Sequence, residues 1–319
     1  MKKNITIPII LIPLMILAII MACRSEDNPT KFSPPTPPDL SHSNDAFLYN
    51  NDGKSLYERY GLSVIWRWDD DFIRPSQRAT PVDESLVIDI GKMIEYLWIG
   101  SFTAQGEAGE KFIQEHIPVE VVLIGSYIFN DDGTRLLGYA EAGVRISLLR
   151  MNELNFLNQN WMLDPGGGVI PTMNHEFSHI VHQKNGIPTG FNSISENYLG
   201  SSWSNNVSLS DAIKLGMVRN YGTLNEYEDF CEIISHYLAI DEETFNLIFI
   251  DQDDCTAYTT ANEIVNCNEL NEGREKIALK LDLVKKFFSD NFDINLTSVR
   301  DTLLHRVEKV INLNDIPES

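Results

Sequence analysis

Apolar residues along this chain change their spacing about half-way, from alternation and short runs to repeats of three and four. That change predicts the order of its elements. Residues 62–68, Leu62-Ser63-Val64-Ile65-Trp66-Arg67-Trp68, alternate and read as a strand. Residues 119–126 and 144–150 are short apolar runs of strand length, with helices expected over 92–98 and 109–115 between and before them. From residue 171 onward helical spacing dominates. Phe177, Ile180 and Val181 form one stripe, Pro171 fits a first turn, and Thr172 or Asn174 can help cap it. Asn185-Gly186 and Pro188 stop this helix, predicted over 171–184, and Asp164-Pro165-Gly166-Gly167-Gly168 before it reads as a flexible loop. Asn225 is a good cap for a helix running to Leu238, with Glu228 three residues on completing a capping-box pattern. Helices over 269–289 and 296–312 follow. No internal repeat interrupts this order. The pattern predicts an α+β protein, with a small twisted sheet first and a helical lobe last.

The 171–184 helix carries the chemistry. It contains His175-Glu176-Phe177-Ser178-His179, in which two histidines four apart share one helical face. Two imidazoles at that spacing can bind one Zn²⁺, and the glutamate after the first can take a proton from a metal-activated water without ligating. Catalytic zinc needs a third protein ligand and an open fourth position. His182 lies on the same face, but about 10 Å from His175 along a straight helix, too far for one metal. It reads as a partner of a ligand or a surface residue. A metzincin would carry Gly at 182 and His at 185, and this chain carries His182 and Asn185. A carboxylate from a later helix is therefore expected. Glu196 is one candidate. Glu228 and Glu232, four apart on the helix capped by Asn225, are better placed, one to ligate and the other to hold a ligating histidine.

Two segments, His175-Glu176-Phe177-Ser178-His179 and Tyr221-Gly222-x-x-Asn225-Glu226-x-Glu228-x-Phe230-x-Glu232, resemble the catalytic domain of anthrax lethal factor, a zinc peptidase of the gluzincin type. The resemblance implies that His175, His179 and Glu228 are zinc ligands and Glu176 the general base. It also implies that Tyr221 supplies a hydroxyl to the oxyanion, and that Glu232 stands behind a ligand. Asp229 and Cys231 depart from that pattern, which has Phe and Ala there; both lie between the functional positions. Taken whole, the chain resembles the zinc-binding metallopeptidase lipoproteins of Bacteroidetes, described as substrate import-associated zinc metallohydrolases. That resemblance implies a SusC/SusD-like importer as partner and leaves the substrate class unassigned, whereas the resemblance to the zinc peptidase implies a peptide or protein as substrate. A zincin-like fold is then expected, with an edge strand along the cleft to pair with extended substrate; residues 144–149 are the candidate. Two other readings stay open: a zinc-containing binding lipoprotein without turnover, and a hydrolase of a non-peptide amide.

The N-terminus changes the picture of where this chemistry takes place. Lys2 and Lys3 precede an apolar stretch over 7–22, broken by Pro8 and Pro13, and Ile20-Met21-Ala22-Cys23 reads as a lipoprotein cleavage box. An uncleaved membrane anchor is the competing reading. The expected organisation is a signal peptide over 1–22, an acylated Cys23 with a Pro- and Ser-rich tether to residue 44, and a catalytic domain over 45–319. Ser25-Glu26-Asp27 resembles the surface-export signal of Bacteroidetes lipoproteins, which favours the outer membrane's outer face. Cys255 and Cys267, 12 apart in a polar region, can form a local disulfide in an oxidising envelope, and Cys231 reads as a buried thiol. The net charge of −21 argues against nucleic acid and anionic lipid surfaces as partners.

Overall fold

The structure, a computed structural model, describes residues 55–131, 135–136, 138–141 and 144–317. The expected signal segment, Cys23 and the tether lie outside the described residues. A capped helix α1 (Leu56–Tyr60) leads into β1 (Ser63–Ile65). Next comes a helical run made of α2 (Val87–Met93), a π-helical stretch (Ile94–Ile99) and α3 (Gly100–Thr103), followed by α4 (Glu107–His116). Five strands follow: β2 (Glu120–Leu123), β3 (Ile128–Phe129), β4 (Arg135–Leu136), β5 (Gly138–Glu141) and β6 (Arg145–Leu148).

The main sheet has the order β1-β2-β6-β5, with β1, β2 and β6 parallel and β5 antiparallel. β3 and β4 pair separately. This order corrects the expected edge strand. Residues 145–148 pair with β2 on one side and β5 on the other, so β6 is internal and β5 is the edge. β5 escapes sequence reading because Gly138, Ala140 and the flanking Ala142-Gly143 have weak strand preference. β2 explains why its sequence runs apolar rather than alternating. Val121 and Leu123 enter the main core, while Val122 joins Ile124, Ile128 and Leu149 in a second cluster on the opposite face. A strand covered on both faces has no polar side.

The second half is helical: α5 (Gln159–Leu163), α6 (Val169–Asn185), α7 (Phe191–Ile194), α8 (Leu209–Leu215), α9 (Glu226–Ala239), α10 (Glu242–Phe249), α11 (Ala261–Phe292) and α12 (Leu296–Leu313). α6 is the centre of the arrangement. It packs against β5 and β6 on one side and along α9 on the other, and α9 is backed in turn by α11 and α12. The helix expected over 269–289 is the middle of α11, which starts earlier because Thr260 and Glu263 form a capping box ahead of a polar first turn. α8 and α10 were not marked by periodicity, being 7 and 8 residues long. No helix among the described residues is long and apolar enough to cross a membrane.

Candidate metal centre

α6 is fixed at both ends by backbone chemistry. It starts after Gly168, whose N–H donates to the carbonyl of Asp164 at 2.6 Å. A Cβ on Gly168 would stand 2.6 Å from the Asp164 backbone nitrogen, so no other residue fits this approach. The loop of residues 164–168, expected to be flexible, is held by two arginines. Arg150 donates to the Gly167 carbonyl and Arg219 to that of Gly166, each at 3.1 Å. The helix ends where Gly186 turns to φ 77° and returns its N–H to the His182 carbonyl.

On this frame His175, His179 and Glu228 come together. Nε2 of His175 stands 3.2 Å from Nε2 of His179 and 3.1 Å from Oε2 of Glu228. The third side, His179 Nε2 to Glu228 Oε2, is 3.3 Å. The three donor atoms thus form a nearly equilateral triangle. Tetrahedral zinc with bonds of about 2.0–2.1 Å places its ligand atoms roughly 3.3–3.4 Å apart, so the triangle fits three ligands with a fourth position left open. Glu228 Oε2 is buried and has no hydrogen bond of its own, as expected for an oxygen aimed at a cation. A nitrogen–nitrogen–oxygen set of this kind suits zinc.

α9 supplies Glu228 and what stands behind the histidines. Asn225 caps the helix by accepting the N–H groups of Tyr227 and Glu228 at 2.9 and 3.0 Å. The Glu228 side chain does not return the second half of the expected capping box, because it is turned to the histidines instead. One turn on, Glu232 is buried. Its Oε1 lies 3.2 Å from Nδ1 of His175 and 3.5 Å from Arg219, and its Oε2 lies 3.2 Å from Nδ1 of His236. His179 has a different neighbour: its Nδ1 is 2.9 Å from Nε2 of the half-buried His182.

The electrostatics of this space favour positive charge. Burial would push His175 down, but the approach of Glu228 and Glu232 and the charges of Glu232 and Glu176 push it up to about 10. Burial would raise Glu228, and the two histidines pull it down to about 2. Glu176 is buried, and that burial raises it above the usual carboxylate range, which suits a group that must take up a proton. Tyr221 is held in its neutral form, first by burial and then by the charge of Glu228. Its ring lies 5.8 Å from that of His175 and meets Trp203 edge-on at 4.8 Å.

Glu196 is exposed and belongs to neither of the ligand groupings among the described residues, so of the two carboxylate candidates the structure gathers Glu228. Arg219, His236 and Trp203 are neighbours that sequence reasoning missed. It also passed over a second buried cluster. Asp229, next to Glu228, is buried against Lys280 of α11 and accepts the Tyr198 hydroxyl at 2.9 Å, while Lys280 donates to the Gly216 carbonyl. A signal existed: Lys280 sits within the apolar stripe Ile277, Leu281, Val284 and Phe288 of α11. Cys231 is a buried free thiol, and Cys255 and Cys267 are joined as a disulfide.

None of the curated proteins compared with the chain matches it. A crystal structure titled as a putative zinc-binding metallo-peptidase from Bacteroides caccae shares the fold, with a TM-score of 0.64 at 24% identity, covering 88% of this chain and 96% of that one. Residues 42–297 match the family described as "Putative zinc-binding metallo-peptidase". The metal named in that description, zinc, is the one the donor triangle fits, and the chain belongs to this family.

Proposed function

We propose that this chain is a zinc-dependent hydrolase of peptide bonds, with His175, His179 and Glu228 as the metal ligands. The observation that carries the reading is the donor triangle, with sides of 3.1, 3.2 and 3.3 Å and one buried oxygen without a hydrogen bond. When bound, zinc would polarise the scissile carbonyl and acidify a water. The Glu176 carboxylate takes the proton of the attacking water, a step its raised affinity for protons favours, and passes it to the leaving nitrogen. Tyr221, neutral and beside His175, donates its hydroxyl to the carbonyl oxygen as charge develops there. Glu232 and Arg219 fix the His175 ring from behind. The fold is read as zincin-like, with β5, the sheet's edge strand among the described residues and a neighbour of α6, as the place where an extended substrate would add a strand.

We place the enzyme at the cell envelope. The support is the sequence alone: the apolar leader, the Ala22-Cys23 box and the Pro-rich tether. The proposed setting is an outer-membrane lipoprotein acting beside a SusC/SusD-like importer. Loss of acyl labelling in Cys23→Ala checks the anchor, and labelling that persists in that variant rejects it.

Glu176→Gln tests the chemistry. The variant should keep zinc and the wild-type melting point yet lose hydrolysis of a diverse peptide library, because an amide cannot accept the water's proton. Equal turnover by the variant, or a wild type that holds zinc and cuts no peptide, would reject the peptidase reading. In the second case binding without turnover becomes the better account.

A further inference from the structure

We infer that His182 is a positioning residue of the metal centre, accepting the Nδ1–H of His179 and so fixing that ring with Nε2 bare toward Glu228. The inference rests on the metal-site reading above. A neutral imidazole carries one ring proton. Nε2 of His179 shares the donor triangle, so a metal there leaves the proton on Nδ1. That Nδ1 lies 2.9 Å from Nε2 of His182, with the geometry of a hydrogen bond. An N–H at that position needs an acceptor, so His182 keeps Nε2 bare and carries its own proton on Nδ1.

A second metal between these rings is the rival explanation, since Cys231 Sγ and one ring nitrogen of each histidine lie within 4.8 Å of one another. Geometry decides against it. Two nitrogens 2.9 Å apart are closer than the roughly 3.3–3.4 Å edge of a zinc tetrahedron. A metal on each nitrogen would also require His179 to give up both ring protons.

The ligand helix holds His182 in place. Tyr227 of α9 stacks on it at 5.0 Å and 22°, and Phe230 meets it edge-on at 6.1 Å. Tyr227 is the residue before Glu228, so the register of α9 orients the third ligand and the partner of the second together. The choice of an imidazole has a physical reason. Glu176, Glu228 and Glu232 already place three carboxylates around this space. A neutral acceptor orients His179 without adding a fourth negative charge, whereas His175 is backed by the anion Glu232.

Three measurements on the zinc-loaded full-length protein test this. Histidine-selective ¹⁵N NMR should show the His179 proton on Nδ1 and His182 with Nε2 bare; a proton on Nε2 of His182 overturns the inference. His182→Phe keeps the ring stack but has no acceptor. Its zinc affinity by chelator competition should fall roughly 10–100-fold, with a changed cobalt absorption spectrum. His182→Gln, whose carbonyl can accept, should recover most of that loss. Wild-type affinity and an unchanged cobalt spectrum in His182→Phe overturn the inference alone. A wild type that takes up no zinc overturns the metal-site reading and this inference with it. If His182→Phe does not fold, the NMR tautomer of the wild type decides.

Discussion

Glu228 is offered two partners by its position, and geometry allows it one. As the third residue after Asn225 it can complete a capping box; one face of α9 away, it can meet the histidines of α6. The carboxylate takes the second course, and the Asn225 side chain alone accepts the N–H groups of Tyr227 and Glu228. The energetic logic is that an exposed helix cap has water as a substitute, while the buried His175 and half-buried His179 have much less access to it. Glu228→Ala should therefore lose most bound zinc, whereas Glu196→Ala should keep it. Elemental analysis after dialysis measures both, and zinc retained in Glu228→Ala would mean that another residue ligates. Glu232→Ala should weaken zinc more mildly, by about 10–100-fold, since of the three proposed ligands it touches only His175, from behind. The pair of histidines was legible in the sequence because their spacing is local, and so was Glu228 once resemblance was added. Arg219 was not, because its approach to Glu232 depends on how the residues before α9 fold back; His236, four residues past Glu232 on α9, carries a local signal of the same kind as the histidine pair.

At the scale of elements, the candidate site lies where α6 and α9 meet, and α9 is backed on its far side by α11 and α12. Asp229 and Lys280 are both fully buried, with Tyr198 closing the group. Burial pushes Asp229 up and Lys280 down, and the charge of each partner opposes that shift. Lys280→Met leaves a buried carboxylate without its cation and should lower unfolding stability by roughly 3–5 kcal/mol in denaturant titrations. A loss below 1 kcal/mol would show that Asp229 simply takes a proton there. The ends of α4 and α6 meet at His116, whose Nδ1 faces the Phe112 carbonyl and whose Nε2 faces Asn185. Burial lowers the proton affinity of this histidine, and the charge of Lys184 lowers it further. The unfolded chain therefore binds that proton more readily. His116 contributes fully above about pH 6.5, and its contribution is lost as pH falls below that. In chelator, the stability advantage of wild type over His116→Phe should shrink between pH 7.5 and 5. An advantage that holds or grows on acidification would reverse the assignment.

For the molecule as a whole, two features are independent of the metal centre. The disulfide between Cys255 and Cys267 ties the turn after α10 to the body of α11, closing a short loop. In the chain-entropy account a loop of this size is worth up to about 3 kcal/mol. Replacing both cysteines with serine should lower the melting temperature while leaving zinc content unchanged, because no residue of the donor triangle lies in that loop. Zinc loss at temperatures where the variant is still folded would connect the two. The charge of −21 informs association more than fold.

By itself the sequence determined what depends on neighbours along the chain. That includes the α+β order, the caps at Asn225 and Gly186, the facing pair His175 and His179, and the proximity of Cys255 to Cys267 that made a bridge feasible. Each follows from helical or loop geometry over a dozen residues or fewer. Tertiary structure decided the rest. It made β5 the sheet edge and put β6 inside, since strand order depends on long-range pairing that a strand's own residues do not encode. It gathered Glu228 into the triangle and left Glu196 exposed, and it set His182 against His179 and Lys280 against Asp229. Those outcomes turn on which faces of α6, α9 and α11 meet. A polar residue in an apolar stripe announces that it needs a partner, but only packing brings the partner to it.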